Sequence, residues 1–170
     1  MKELYDVICS HERWLAHEPG QRADLSGADL CGVNLIDKDL SESVMTNADI
    51  IAAKLSGTKF VVAEMRGISA HEADLTGADL YGANLYGANL SRANLSSARL
   101  SMTALTWAIM ASADLSYGDL SSANLAYADL SCANLAYADL TGVNLSHANL
   151  TGANLAHANL TNANLTGAHF

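Results

Sequence analysis

The side chains that could carry chemistry are three cysteines and several histidines, and their spacing predicts no reaction. Cys9, Cys31 and Cys132 lack the spacing of metal ligands and are odd in number, so we expect reduced thiols. His11 and His17 stand six residues apart, whereas the helical zinc motif places its histidines at i and i+4. An enzyme also needs a nucleophile, a base or a metal set that converges on a pocket. We therefore predict no catalysis, no metal and no cofactor.

Composition excludes several classes of protein before any fold is considered. The 170 residues are half hydrophobic but only 6% aromatic, and no run approaches the roughly 18 apolar residues of a membrane span. The first residues, MKELYDVICSHERWL, lack the apolar core and the cleavage site of a signal peptide. A net charge of −9 disfavours direct contact with nucleic acid phosphates. We expect a cytoplasmic protein that binds neither a membrane nor nucleic acid directly.

A five-residue repeat must position whatever surface the protein uses. Thirty consecutive pentads occupy residues 23–170 without an insertion, and their central residues are Leu, Met, Ile or Phe everywhere except at Ala70. Two residues before each centre stands a small side chain in most pentads, which is Ala in 22 of the 30. A period of five fits neither a helix nor a continuous strand. It fits three extended residues, of which the first and third face inward, followed by a two-residue corner.

The corners carry most of the glycines. Ten of the twelve glycines occupy the second corner position, which indicates a turn with a positive φ. Tyr, His or Trp stands at this position in other pentads, so we predict a second type of turn there. Ile68 and Ala70 exchange the small and large inward residues of one pentad, which conserves volume. Lys38 takes an inward position and must snorkel or distort its coil, so we expect a bulge over 38–44.

The tandem pattern A-(D/N)-L-x-x, as in ADLSGADL at 23–30 and ANLTGANLAHANLTNANL at 148–165, resembles the pentapeptide repeat family. The resemblance implies an all-β fold, a right-handed quadrilateral parallel β-helix with four pentads per coil and about 7.5 coils in all. Middle residues taken twenty apart support this coil length, because opposite charges alternate through Asp39, Lys59, Asp79 and Arg99.

The two ends of the rod are predicted to differ from each other. Residues 1–22 are predicted to form a capping helix and a linker, with the helix over 2–17 ended by Pro19 and Gly20, and residues 23–170 to form the β-helix. The lead-in resembles that of bacterial family members. At the other end, relatives imply a homodimer joined through the C-terminal coils, although a bare end remains an alternative. The candidate residues at this end are Leu160, Leu165 and Phe170.

Aromatic residues interrupt the polar outer surface at the corners. With twenty residues per coil, one column carries Trp107, Tyr127 and His147, and the opposite column carries Tyr117, Tyr137 and His157. Rings on neighbouring coils can stack on one another without any partner. However, Met102 and Ile109 stand beside Trp107 in the stretch SMTALTWAIMAS, and such an apolar patch on a polar rod favours a protein interface. The candidate partner surface is Met102, Trp107, Ile109 and Tyr127.

Three functions remain open from the sequence. The first is a non-enzymatic scaffold that presents a rigid surface to another protein. The second is implied by relatives that imitate DNA and bind the type II topoisomerase DNA gyrase, protecting or inhibiting it. Its candidate acidic surface is Asp79, Asp114, Asp119, Asp129 and Asp139. Basic side chains interrupt these acidic columns, and residues 140–170 carry no Asp, Glu, Lys or Arg. The third is a purely structural module.

Overall fold

The computed structural model describes residues 2–170, in which one helix precedes a long parallel β-helix. The helix, α1, spans Lys2–Leu15. It ends two residues before the predicted boundary because His17 adopts a left-handed backbone with φ of 59°. The amide of His17 donates to the Trp14 carbonyl (3.0 Å), and that of Glu18 donates to the Arg13 carbonyl (2.9 Å). This pair of bonds is the Schellman motif that commonly terminates helices.

Single-residue bridges replace extended strands throughout the β-helix. The middle residue of each pentad forms parallel bridges to the residues twenty positions away, from Asp24 with Val44 to Asn149 with His169. A coil therefore contains four pentads. Equivalent positions on successive coils form columns of residues spaced twenty apart.

Every corner of the β-helix adopts the same turn. All 29 second corner positions, from Gly27 to Gly167, have a positive φ between 50° and 70°. Each turn is closed by a backbone hydrogen bond of the kind that joins the Ala28 amide to the Leu25 carbonyl (3.1 Å). Trp107 and Tyr127, with φ of 62° and 60°, do not differ from glycine in this respect. The prediction of a second turn type at aromatic corners is therefore wrong.

The reason is that the coil, and not the corner side chain, determines the backbone of the turn. The amide of Trp107 donates to the Ala126 carbonyl at 3.1 Å, and that of Tyr127 donates to the Ser146 carbonyl at 2.9 Å. A left-handed backbone costs a non-glycine residue roughly 1–2 kcal/mol. The hydrogen bonds and the packing of the coil on both neighbours hold the residue there.

The core is a continuous column of inward side chains. The central leucines and the small residues two positions earlier are buried along the rod, ending at Leu150. Ile68 and Ala70 are both fully buried, which confirms the volume-conserving exchange within their pentad. Inward residues of the last coil, such as Leu155, are only partly buried because no further coil covers them.

Lys38 does not distort the β-helix, so the expected bulge over 38–44 is wrong. The neighbouring Asp39 bridges Lys59, and the Lys59 amide donates to the Lys38 carbonyl at 2.9 Å as elsewhere in the ladder. The Lys38 ammonium instead reaches out to the Glu12 carboxylate of α1, at 3.7 Å. Snorkelling is available here because Lys38 lies in the first coil, directly beside the cap.

A buried histidine fastens α1 to the first coil. His11 is completely buried. Its Nδ1 accepts a hydrogen bond from the Ala23 amide (3.1 Å), and its Nε2 donates to the Ser41 carbonyl (3.0 Å). Burial lowers the pKa of His11, although the bond to Ser41 partly opposes this shift. The neutral ring, protonated on Nε2, is the form that satisfies both partners.

Candidate functional site

Two stacks of aromatic rings run along two columns of the rod that lie two corners apart in the coil. The Trp107 ladder consists of Trp107, Tyr127 and His147, whose ring centroids are 4.5 Å and then 4.9 Å apart. The Tyr117 ladder consists of Tyr117, Tyr137 and His157, with separations of 4.9 Å and 4.8 Å. Neighbouring rings are inclined by no more than 17°. The spacing follows the distance between coils, about 4.8 Å.

The four candidate partner-surface residues are all exposed, by 44–59%. The structure brings Trp107 and Tyr127 into direct contact within their ladder. Met102 lies in the preceding corner, where its Sδ accepts a hydrogen bond from the Tyr81 hydroxyl at 3.2 Å. Ile109 lies in the bridge column that follows Trp107, between Asn89 and Asp129. The patch therefore extends over two corners and the column beyond them and does not form a pocket.

Two arginines lie over tyrosine rings. The Arg99 guanidinium carbon is 4.6 Å from the Tyr81 ring centroid, and that of Arg66 is 5.1 Å from the Tyr86 ring centroid. Both distances are within the range of cation–π contacts. Sequence reasoning missed these pairs, although Arg66 and Tyr86 occupy the same column and their spacing of twenty could have indicated contact.

The candidate acidic residues lie in three different columns. Asp79, Asp119 and Asp139 share one column, whereas Asp114 and Asp129 occupy two others. Arg99 interrupts the first column, and its guanidinium lies 3.2 Å from the Asp79 carboxylate. Lys59 forms a similar pair in the same column, and both agree with the charge alternation expected from the sequence.

The same carboxylates also build the corners. In all five residues, Oδ1 accepts a hydrogen bond from the amide two residues later. Burial alone would raise the pKa of Asp119, but hydrogen bonds from the Ser121 hydroxyl and amide, with smaller contributions from Ser101 and Arg99, hold its pKa below the ordinary value. This local role accounts for Asp or Asn at a middle position without any partner.

Asparagine columns continue this arrangement into the uncharged coils. The Asn144 carboxamide donates to Asn124 at 3.0 Å, and the Asn164 carboxamide donates to Asn144 at 3.1 Å. A second column joins Asn154 to Asn134 at 3.0 Å. The repeated Asn at twenty-residue spacing is the sequence signal for these bonds. Side-chain amides thus replace ion pairs as the links between the last coils.

The last coil leaves apolar and polar groups uncovered. Leu160 and Leu165 are partly buried, and Phe170 is 67% exposed. Within residues 2–170, the amides of Leu155, Leu160 and Leu165 have no backbone acceptor, whereas the Leu150 amide still donates to the His169 carbonyl at 2.6 Å. This face therefore combines exposed apolar side chains with an unpaired bridge edge.

The described residues provide few groups for metal or thiol chemistry. Among residues 2–170, no cluster of three or more His, Cys, Asp or Glu side chains could hold a metal ion. The three thiols are free. Hydrogen bonds to Asp29 and Asp49, followed by burial, raise the pKa of Cys31 to about 11, which disfavours its reactive thiolate. No helix in this part of the chain has the length and apolar character needed to cross a membrane.

Comparisons with known proteins agree on the fold. The family model for pentapeptide repeats matches in eight copies, over residues 23–60, 63–92, 73–111, 88–126, 110–136 and 128–167. A search of curated protein sequences found no significant match.

Two solved structures represent the similar proteins. HetL, a pentapeptide repeat protein involved in heterocyst differentiation regulation in the cyanobacterium Nostoc sp. strain PCC 7120, is 27% identical over 93% of this chain and 92% of its own, with a TM-score of 0.47. A trypsin-treated variant of QnrB1, a plasmid-mediated fluoroquinolone resistance protein, is 19% identical over 85% of this chain and 79% of its own, with a TM-score of 0.51. The likeness to QnrB1 shows the fold, a right-handed β-helix.

Proposed function

Because the chain belongs to the pentapeptide repeat family, we propose that it is a non-enzymatic scaffold that presents a rigid surface to a partner protein. The candidate surface is Met102, Trp107, Ile109 and Tyr127. Trp107 is the anchor, since it joins the ladder to the apolar stretch around it.

One observation carries this proposal, namely the exposure of large apolar side chains in a neighbourhood where the fold does not need them. Trp107 is 53% exposed and Ile109 46% exposed, although the preceding coil holds Gly87 and Asn89 at the equivalent positions. Stacking on Tyr127 explains one face of the Trp107 ring. It does not explain Ile109, which replaces a residue that would otherwise bond to the corner. Exposed aromatic and aliphatic side chains of this kind are typical of protein interfaces.

The proposal is tested by Trp107→Ala in a pull-down that compares the variant with the unchanged protein as bait. We expect the variant to fold and to lose the partner captured by the unchanged protein, because an aromatic anchor carries much of an interface's binding energy. Tyr117→Ala is the matched control, since it removes the end ring of the opposite ladder. Equal capture by both variants and by the unchanged protein would refute this site.

A DNA-like acidic surface is the second candidate function. It is favoured by the net charge of −9 and by membership of the same family as QnrB1, a protein of fluoroquinolone resistance. The candidate residues are Asp79, Asp114, Asp119, Asp129 and Asp139. The bonding of these carboxylates within the corners and the Arg99 pair weigh against it. A DNA gyrase supercoiling assay with and without a quinolone decides the question, because a topoisomerase mimic should protect or inhibit the enzyme. The absence of both effects would exclude this function.

The proposal extends to the shape and assembly of the rod. We infer a quadrilateral cross-section with about 7.5 coils over residues 23–170, preceded by a cap and linker over residues 1–22. Four pentads and four equivalent turns per coil support the four-sided section. The exposed Phe170 and the half-covered Leu160 and Leu165 support a homodimer joined through the C-terminal coils.

A further inference from the structure

The Trp107 ladder stops beside an open cleft on the same corner. The cleft has a volume of about 580 Å³ and is lined by Thr46, Asn47, Arg66, Gly67, Tyr86 and Gly87. We call it the Gly67–Gly87 cleft. It exists because two successive residues of the ladder column lack side chains, while Asn47 before them and Trp107 after them do not.

Corner side chains in this column lean towards the C-terminal end of the rod, and this direction shows where the glycines leave side-chain space empty. The Asn47 side-chain oxygen lies 2.5 Å from the point where a Cβ on Gly67 would stand, and the His147 ring lies 2.6 Å from that point on Gly167. A corner side chain in this column thus covers the next coil towards the C-terminus. Among residues 2–170, no atom outside residues 86–88 lies within 4 Å of the corresponding point on Gly87. The space that a side chain of residue 67 would occupy is therefore open.

Within the described part of the chain, Trp107 is consequently stacked on one face only. Its ring contacts Tyr127 at 4.5 Å on the C-terminal side, and the coil on its other side contributes Gly87. The existing rungs of both ladders repeat at 4.5–4.9 Å, which is also the coil spacing of about 4.8 Å. An added planar ring can therefore continue the ladder at its own spacing, in the place where a side chain of residue 87 would lie.

The positive charge of Arg66 beside the cleft favours a planar ring that carries a carboxylate nearby. The Arg66 guanidinium lies over the Tyr86 ring at 5.1 Å, and within residues 2–170 it forms no ion pair, whereas Lys38, Lys59, Arg92 and Arg99 each do. In a chain of net charge −9, this is an available cation beside an available aromatic face. A carboxylate close to the bound ring would form an ion pair with the Arg66 guanidinium.

We propose that the Gly67–Gly87 cleft binds an aromatic side chain of the partner protein together with an adjacent carboxylate. The ring stacks on the free face of Trp107, and the carboxylate pairs with Arg66. This inference rests on the proposed function, because it names the chemistry of the partner that uses the Trp107 surface.

The test is an NMR titration with N-acetyltryptophan, which carries both groups, and with N-acetyltryptophanamide, which lacks the charge. We expect saturable shifts of the Gly67 and Gly87 amide resonances with a dissociation constant on the order of 1 mM, and at least roughly two-fold weaker binding of the amide. Absence of a saturable shift at these glycines up to about ten times that concentration would overturn the inference. Equal binding of both probes would show that Arg66 does not pair with the carboxylate.

A variant in which a new side chain fills the cleft provides a control for the titration. Gly87→Tyr places a ring on the free face of Trp107, and it should fold because Tyr117, Tyr127 and Tyr137 already adopt φ of 59–61° at equivalent corners. Gly77→Tyr is the matched control, since Gly77 also has open space around it but belongs to the Tyr117 column. We expect Gly87→Tyr to abolish the shift of the Gly67 amide and Gly77→Tyr to preserve the shifts of both glycines.

The outcomes separate the inference from the proposed function. If capture in the pull-down depends on Trp107 but the probe does not bind, the proposed partner surface is supported. The inference that the Gly67–Gly87 cleft binds an aromatic side chain is then refuted. Binding of the probe that persists in Gly87→Tyr also overturns it, because the ring would then be bound elsewhere.

Discussion

At the scale of single residues, the left-handed corner is where this fold accepts the most backbone strain. Nineteen of the 29 second corner positions are not glycine, yet all have a positive φ. Val62 is the most unfavourable of these, because a β-branched side chain is rarely found in this region. Its side chain is 52% exposed and gains little from packing.

Val62→Gly is therefore expected to stabilise the protein. Relief of a left-handed β-branched residue is worth about 1–2 kcal/mol, and the greater chain entropy of glycine when unfolded removes about 0.5–1 kcal/mol of this. The net gain of about 1 kcal/mol is measurable as a higher urea midpoint.

Val44→Gly is the control for this substitution. Val44 occupies a middle position and bridges both neighbouring coils without a positive φ, so glycine there should lower the urea midpoint. A loss of stability in both variants would show that the corner at Val62 is not strained.

The inward residues could be predicted from the sequence, whereas the corner backbone could not. Leu105 and Met110 are buried as the period of five requires, even within the irregular stretch around Trp107. The turn at Trp107 was mistaken because single-residue preference opposes a positive φ there, while the bond to the Ala126 carbonyl enforces it. Similarly, the sequence allows Lys38 either to snorkel outward or to distort its coil. Only the position of Glu12 on α1 decides between these outcomes.

At the scale of elements, the ladders should stabilise the coils that they join. The middle ring of the Tyr117 ladder, Tyr137, contacts both Tyr117 and His157, whereas Tyr117 contacts one ring. Each stacked pair contributes about 0.5–1.5 kcal/mol beyond burial. Tyr137→Ala should therefore lower the free energy of unfolding by roughly twice as much as Tyr117→Ala, measured by urea denaturation. Equal losses would mean that the rings do not act as pairs.

The cap should respond to mild acid through His11. Its two ring nitrogens already bond to Ala23 and Ser41, and burial holds its pKa below the ordinary value of 6.5. A second proton would place two donors, the Nδ1–H and the Ala23 amide, against each other. The unfolded chain therefore takes up this proton at a higher pH than the folded chain does.

The sign of the effect follows from this difference in pKa. The His11 contribution is complete above about pH 6.5 and is lost as pH falls from there towards the folded-state pKa, by at most about 1.4 kcal/mol per pH unit. Nearby Glu12 and Asp39 favour the charged ring, while Arg22 opposes it. Urea unfolding between mildly acidic and neutral pH measures the slope, which His11→Gln should reduce. A slope unaffected by His11→Gln would contradict this account.

The ladder rungs could be anticipated from spacing, but the cleft beside them could not. Residues twenty apart, such as Tyr117 and Tyr137, must be neighbours once the coil length is known. The lean of a corner side chain over the following coil, which leaves Gly87 open and covers Gly67, is not contained in a repeat period. It depends on the rotamer that each side chain takes above its neighbour.

At the scale of the whole molecule, the proposed homodimer can be tested at the exposed C-terminal coil. If a second copy covers this coil, Leu165→Asp should convert a dimer into a monomer, because it places a charge among apolar side chains. Thr161→Asp is the matched control, since it adds the same charge at an exposed corner of the same coil. Light scattering at micromolar concentration measures the mass. A monomer in the unchanged protein would contradict the homodimer.

The unbroken bridge spacing of twenty residues also restricts how such a chain can change length during evolution. Gain or loss of a whole coil shifts every later side chain along the rod but keeps it in its column, so ring ladders, ion pairs and amide bonds find equivalent partners. Gain or loss of one pentad keeps the core intact and yet rotates all later residues into the next column. Trp107 would then stand above a new set of neighbours. Duplication by twenties should therefore preserve a binding surface, and duplication by fives should create new ones.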